Sequence, residues 1–294
     1  MSAEFRRARL LEQLQEQGAV QAADLVARFG VSDMTIRRDL RCLEQRGLLR
    51  RVRGGAIQPH GRSYEPPREL RQTLQLTQKE QIATVALGFV EDGDSLTLDT
   101  GTTTYALARQ LMQRNNFTVL TPSLLIADLL SRHPSAQVIV SGGVLRQAEL
   151  SMTGPIAART FSDFYVDKLF LGVGGVHPDQ GFTEFNSADA RVKQAMLEHA
   201  KEITVLADST KLGATAFALV APLTVADRLI TDDGADPVLV ARIAEHGVDV
   251  VLASNTEQLS EEDSRHAADE GHARTSQAGD RHGPPAGDAR HPAS

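Results

Sequence analysis

The chain changes its apolar rhythm twice. Over residues 1–57, apolar side chains recur every three or four positions. Leu10, Leu11 and Leu14 come first, then Leu25, Val26 and Phe29, then Ile36, Leu40 and Leu43. That spacing predicts three short amphipathic helices. Gly18, Gly30 and Gly47 follow the last periodic residues and mark the stops, and Ser32 is placed to cap the third helix. "LLRRVRGGA", residues 48–56, is short and ends in a Gly-Gly turn, which predicts a small β-wing. Residues 58–76 hold three prolines and no apolar period, so they predict a linker.

From residue 77 the pattern changes to continuous apolar runs. "SLTLDTG", "FTVLTPS", "AQVIVSGG", "DKLFLGVGG", "EITVLADST", "RLITDD" and "VDVVLAS" alternate with helical stretches near 77–90, 103–114, 123–133, 153–163, 187–201 and 235–246. Strands that are apolar throughout need cover on both faces. The fold class expected for 77–254 is therefore Rossmann-like α/β with a largely parallel sheet, behind an N-terminal winged helix-turn-helix over 1–57. Residues 255–294 have few apolar anchors and predict a disordered tail, and their four histidines show no metal-ligand spacing.

Composition narrows the classes. No apolar run approaches the roughly 18 residues of a membrane span, and the N-terminus lacks the apolar segment of a secretory signal, so a cytoplasmic protein is expected. The single cysteine, Cys42, excludes an intrachain disulfide and a multi-cysteine metal site; no metal or cofactor is expected. Charge is uneven. Residues 1–60 carry 11 arginines and 7 acids, a balance of +4, while residues 61–254 balance to −7 and 255–294 to −4. Such asymmetry suggests a nucleic-acid-binding part joined to a part with another task.

The positive charge has a place on the third helix. With Ile36, Leu40 and Leu43 turned to the core, Met34, Arg37, Arg38 and Arg41 lie on the opposite face. A helix of that kind fits the DNA major groove, where arginine donates twice to guanine. Met34 and Thr35 are candidates for base edges, and Arg50, Arg51 and Arg53 on the wing for phosphates. A solvated basic helix is the competing explanation, with Glu44 available to Arg41. "VQAADLVARFGVSDMTIRRDLRCLEQRGLLRRVRGGA" resembles the winged helix-turn-helix of the DeoR family of bacterial sugar-metabolism repressors, except that Arg53 stands where the family often has His. The resemblance implies that Ser32, Thr35, Arg37 and Arg38 contact double-stranded operator DNA.

The acidic part has its own candidate chemistry. In "SLTLDTGTTTYALARQL" a strand ends at Asp99, and Gly101, Thr102, Thr103 and Thr104 open a helix whose amides and hydroxyls suit a phosphate. "TPS" with Ser123, "SGG" with Gly142 and Gly143, and "ADSTK" with Asp208 and Lys211 also follow strands and are expected on the same carboxyl edge. The glycines at 172, 174 and 175 do not complete a dinucleotide motif, because His177 takes the last position. Residues 77–254 resemble the DeoR-family effector domain, related in fold to ribose-5-phosphate isomerases. That resemblance implies a phosphorylated sugar effector and a homo-oligomer, dimer or tetramer. It adds Glu184, Asn186, Arg191 and Lys193 of "GFTEFNSADARVKQAM" as candidate contacts; Pro122 stands where the family commonly has Asn. The expected function is a DNA-binding repressor of sugar or amino-sugar catabolic genes, relieved by a phosphosugar. The alternative is a sugar-phosphate isomerase carrying a DNA-binding module, with Asp99, Glu184 or Asp208 as its base.

Overall fold

The computed structural model describes residues 2–59 and 61–254; the tail expected over 255–294 lies outside the described residues. The three apolar stripes form α1 (Ala3–Gln17), α2 (Ala22–Phe29) and α3 (Asp33–Gln45). Ser32 Oγ accepts the Thr35 amide and opens α3 as its cap. The stripes meet in one small core built on Leu10, Leu14, Leu25, Ile36, Leu40 and Leu43. An antiparallel sheet of β1 (Ala19–Gln21), β2 (Arg50–Val52) and β3 (Gly55–Ile57) closes it, in the order β1-β3-β2. The second wing glycine is required there: a Cβ on Gly55 would stand 1.9 Å from the Val20 carbonyl oxygen.

One acid completes the buried side of α3. Asp39 is 1% exposed and accepts Arg6 Nε at 2.6 Å and Arg7 Nε at 2.7 Å, both from α1. This double contact fixes the roll of α3 on α1, and so decides which residues face outward.

Residues 58–76 are more ordered than a proline-rich linker suggests. After Pro66 and Pro67 the chain forms α4 (Arg68–Thr73), six residues and too short to show a period, and α5 (Leu76–Leu87) begins within the segment. Leu70 of α4 packs against the winged core.

All seven apolar runs become strands of one parallel sheet. They are β4 (Ser95–Leu98), β5 (Phe117–Thr121), β6 (Ala136–Val140), β9 (Val166–Gly172), β12 (Ala200–Leu206), β14 (Arg228–Asp232) and β15 (Asp249–Ala253). The order is β15-β14-β12-β9-β4-β5-β6. Alternate residues serve two cores, which is why the runs are apolar throughout. Phe170, Leu206 and Ile230 pack with α5, α6 (Thr102–Leu111) and α7 (Leu124–Leu130). Leu169, Leu171, Val205 and Leu229 pack with α8 (Pro155–Ser162), α9 (Ser187–Leu197) and α10 (Pro237–Ala244). The helix expected to reach residue 201 ends at Leu197, and Ala200 and Lys201 already belong to β12.

Two small additions were not visible as apolar runs. A hairpin joins β7 (Val144–Arg146) to β8 (Ser151–Thr153), and β10 (Gly175–His177), β11 (Gly181–Glu184) and β13 (Ala218–Ala221) form an antiparallel sheet. From β4 the chain steps outward through β5 to β6. It then returns on the other side of β4 as β9 and steps outward again. The strand order therefore reverses between β4 and β9, where ligands bind in sheets of this type.

Candidate functional site

The outer face of α3 is built as expected. Met34 is 73% exposed, and Arg37, Arg38 and Arg41 point to solvent, as do Arg50, Arg51 and Arg53 on the wing. Thr35 Oγ1 is 2.9 Å from Ser32 Oγ, so these two hydroxyls hold each other at the start of the helix. Two arginines have local partners: Arg37 Nε lies 2.7 Å from Asp33 one turn back, and Arg51 Nε lies 2.6 Å from Glu44. Glu44 thus serves the wing and not Arg41, and its bond from Arg51 holds its carboxyl below the usual range. Among the described residues Arg38, Arg41, Arg50 and Arg53 make no ion pair. Exposed pairs are worth about 0–1 kcal/mol, so Arg37 and Arg51 remain available to a phosphate.

A cleft of about 560 Å³ opens at the carboxyl ends of β4, β9 and β12, at the reversal of strand order. Thr100 to Thr104 line one wall, where Gly101, at φ 141°, turns the chain into α6. Opposite, Lys193 rises from the buried face of α9 between two acids. Its Nζ donates to Asp99 Oδ2, to the Gly172 carbonyl at 2.7 Å, and lies 3.0 Å from Glu184. Burial works to lower the Lys193 pKa, but Asp99 and Glu184 outweigh it and keep the ammonium charged. Burial pushes Asp99 up; Glu184, buried too, is held down by Lys193. Lys211 stands beside the cleft with its Nζ 5.6 Å from the centre of the Phe185 ring.

The amino-terminal part matches the DeoR-like helix-turn-helix domain over residues 6–61, and residues 74–233 match the DeoR C terminal sensor domain. The chain belongs to the DeoR family. It is 32% identical to the HTH-type transcriptional repressor CsqR of Escherichia coli strain K12 over 250 residues, covering 84% of this chain and 94% of that one. It is 31% identical to the glycerol-3-phosphate regulon repressor of the same strain, covering 83% and 96%. A solved ribose 5-phosphate isomerase A from Methanocaldococcus jannaschii matches 45% of this chain and 52% of its own at TM-score 0.35 and 19% identity, a likeness too slight to bear on function. As a DeoR-family member the protein is a DNA-binding regulator of transcription, and most of the residues lining the cleft belong to its sensor domain.

Of the expected effector contacts, Gly101, Thr102, Thr103, Thr104, Glu184, Lys193, Asp208 and Lys211 line the DeoR sensor cleft, and Asp99 joins it through Lys193. Ser123, Gly142, Gly143, Asn186 and Arg191 do not line it. β5 and β6 lie outward of β4, so their ends are carried away from the reversal point. Ser123 caps α7 by accepting the Ile126 amide, and Asn186 caps α9 by accepting that of Ala188. Gly143 lets the backbone pass Thr153, whose oxygen would be 2.5 Å from a Cβ, and Gly142 packs under Ile156. Arg191 is exposed.

The cleft also has walls that sequence reasoning missed. Glu12 and Gln58 of the winged domain line it, with Glu65 and Arg71 from the connecting segment and Lys79, Arg146, Glu149 and Asp189 from the sensor. Arg71 lies 3.0 Å from Glu65 and bonds Glu149, while Arg146 bonds both Glu65 and Asp189. Burial pushes the Asp189 carboxyl up to about 6 and raises that of Glu149. Lys79 donates to the carbonyls of Arg71 and Leu74, and burial lowers its pKa to about 8. One signal for it was present: Lys79, Ile82, Ala83 and Ala86 share one stripe of α5, so a lysine stands on a core face. The Glu65–Arg146 and Arg71–Glu149 pairs join residues about eighty positions apart and had no sequence signature.

Proposed function

We propose that the protein is a repressor that leaves its operator when a phosphorylated sugar enters the sensor cleft. The observation that carries this reading is shared construction: one cleft is lined by the α6 amino terminus and lysines of the sensor, by the connecting segment, and by Glu12 and Gln58 of the winged domain. The amides of Thr102 to Thr104 suit a phosphate, and Lys211 adds charge beside them. Glu184 and Asp208 suit sugar hydroxyls. A ligand that fits this cleft better in one placement of the winged domain shifts the equilibrium toward that placement, by no more than its differential affinity.

Two copies, or four, would set paired α3 helices in successive major grooves, with Ser32, Met34, Thr35, Arg37, Arg38 and Arg41 at base edges or nearby phosphates and Arg50, Arg51 and Arg53 on the backbone. The work would be done on nucleoid DNA in the bacterial cytoplasm. The names of the two repressors it resembles support repression as the direction of control. The isomerase alternative is not favoured: Asp99 and Glu184 both hold Lys193 and Asp208 accepts from Thr210, so each candidate base already has a partner within the protein. Thermal unfolding with a panel of phosphosugars and their unphosphorylated parents tests the reading. A melting point raised by one phosphosugar but not by its parent supports it, and no shift with any of them contradicts it.

A further inference from the structure

Five cations line the sensor cleft, and three of them already have carboxylate partners. Lys193 is held by Asp99 and Glu184, Arg71 by Glu65 and Glu149, and Arg146 by Glu65 and Asp189. Among the described residues Lys79 and Lys211 have no carboxylate within ion-pair distance. Lys211 is partly exposed, but Lys79 is 5% exposed and stands on the core face of α5. Its partners are two backbone carbonyls, those of Arg71 and Leu74, at the carboxyl end of α4. A lysine ammonium has three donors, and burying a charge beside neutral dipoles alone is costly. An anion arriving in the cleft is a better partner than a carbonyl, because both groups are then charged.

We propose that Lys79 is a positioning residue that exchanges the end of α4 for the anionic group of the ligand. The consequence follows from what α4 touches. Its Leu70 packs against the core of the winged domain, and its Arg71 belongs to the ion-pair set at the rim of the cleft. Drawing the ammonium off the Arg71 and Leu74 carbonyls uncaps a short helix that contacts both halves of the protein. The inference rests on a phosphosugar binding in this cleft and names the residue that reports its arrival.

The exchange has a signature beyond affinity. The groups that act on Lys79 are Asp208, which favours its charged form, and Lys211 and Arg71, which oppose it. Other charges near α5 are occupied: Arg109 with Glu80, Arg228 with Asp249, and Asp232 with the amides of Ser209 and Gly234. With its pKa lowered to about 8, Lys79 is about half protonated at pH 8, and an adjacent phosphate raises that pKa and draws a proton in. A sugar phosphate with a second pKa near 6 is already a dianion at pH 8 and contributes no proton change.

Titration calorimetry of the full chain at pH 8, in buffers of different ionisation enthalpy, reads this directly. The probes are N-acetylglucosamine 6-phosphate, ribose 5-phosphate and glycerol 3-phosphate, phosphate monoesters with no free amine to titrate. Wild type should take up about half a proton per phosphosugar bound. Lys79→Met should take up none and bind roughly tenfold more weakly. Lys79→Arg should recover affinity without proton uptake, since arginine stays charged. Binding by wild type with no proton exchange, or by Lys79→Met with unchanged affinity, overturns the role of Lys79 and leaves the cleft as the effector site. No binding of any probe by wild type overturns the effector reading and this inference with it. A far-ultraviolet circular dichroism spectrum and a cooperative melting transition like those of wild type show that Lys79→Met is folded.

Discussion

The hydroxyl of Tyr64 donates to the carbonyl oxygen of Gly47 over 2.7 Å, and the next residue, Glu65, receives Arg146 at the rim of the sensor cleft. Gly47 lies in the turn that ends α3. Two adjacent residues of the connecting segment therefore hold the reading helix on one side and the ligand site on the other. Tyr64→Phe removes the hydroxyl alone. It should cost about 1 kcal/mol or less at this partly exposed site, leave operator affinity near wild type, and reduce the loss of affinity caused by the effector. Paired operator titrations with and without effector check this; an undiminished response would take Tyr64 out of the route.

The arginines of the outer face should separate into two kinds. Arg38→Ala and Arg41→Ala, whose side chains have no ion-pair partner among the described residues, are expected to lose about 1–3 kcal/mol of discrimination between operator and scrambled DNA. Arg37, paired with Asp33, should lose less. Arg50→Ala and Arg53→Ala on the wing should weaken every sequence alike and lower the salt slope by about 1 each. Affinity measured across a salt series on both DNAs distinguishes these outcomes.

How much of this was legible follows from the range over which each feature is encoded. The three helices, the wing, the seven parallel strands and the outward arginines are local patterns, and each appeared where its period placed it. The glycine and threonine turn after β4 was legible too, because a strand–turn–helix junction is local. The ion-pair set was not: Glu65 with Arg146 and Arg71 with Glu149 depend on how the connecting segment lies across the sensor. α4 and the β7–β8 hairpin were missed because elements of three to six residues carry too little pattern. Ser123 and Gly143 were placed near the ligand by their loops, yet strand order, which no local pattern gives, moves them away. Lys79 was readable in principle, as a charge on an apolar stripe.

Asp39 makes the strongest case for a structural role inside a DNA-contact motif. Its carboxylate satisfies Arg6 and Arg7 in a site where Arg6 is 6% exposed. Asp39→Asn leaves those cations without their counter-charge and should destabilise the winged domain by roughly 3 kcal/mol. Operator binding should fall with it, while the cleft keeps its ligand. Urea unfolding followed by separate probes in the two parts would show this; a variant as stable as wild type contradicts it.

Asp189 gives a pH dependence of definite sign. Its folded pKa is raised by burial to about 6, above its usual 3.8, so the folded state binds the proton more tightly than the unfolded chain. Its contribution to stability therefore grows as pH falls from about 6 towards 4 and is lost as pH rises through 6. Asp189→Asn, which mimics the neutral form, should be more stable than wild type at pH 7, and the difference should shrink below pH 6. Melting points of both proteins between pH 4 and 7 measure it. A difference that does not change with pH would mean Arg146 keeps Asp189 ionised throughout.

A phosphorylated sugar in the cleft is expected to govern the hold of α3 on DNA. Fluorescence anisotropy of the full chain on the DNA upstream of its own gene, at one fixed salt concentration, tests it most directly. Tight binding is expected, released by one phosphosugar and not by its unphosphorylated parent, with the response blunted in Lys211→Ala. Tight binding indifferent to every phosphosugar would contradict it.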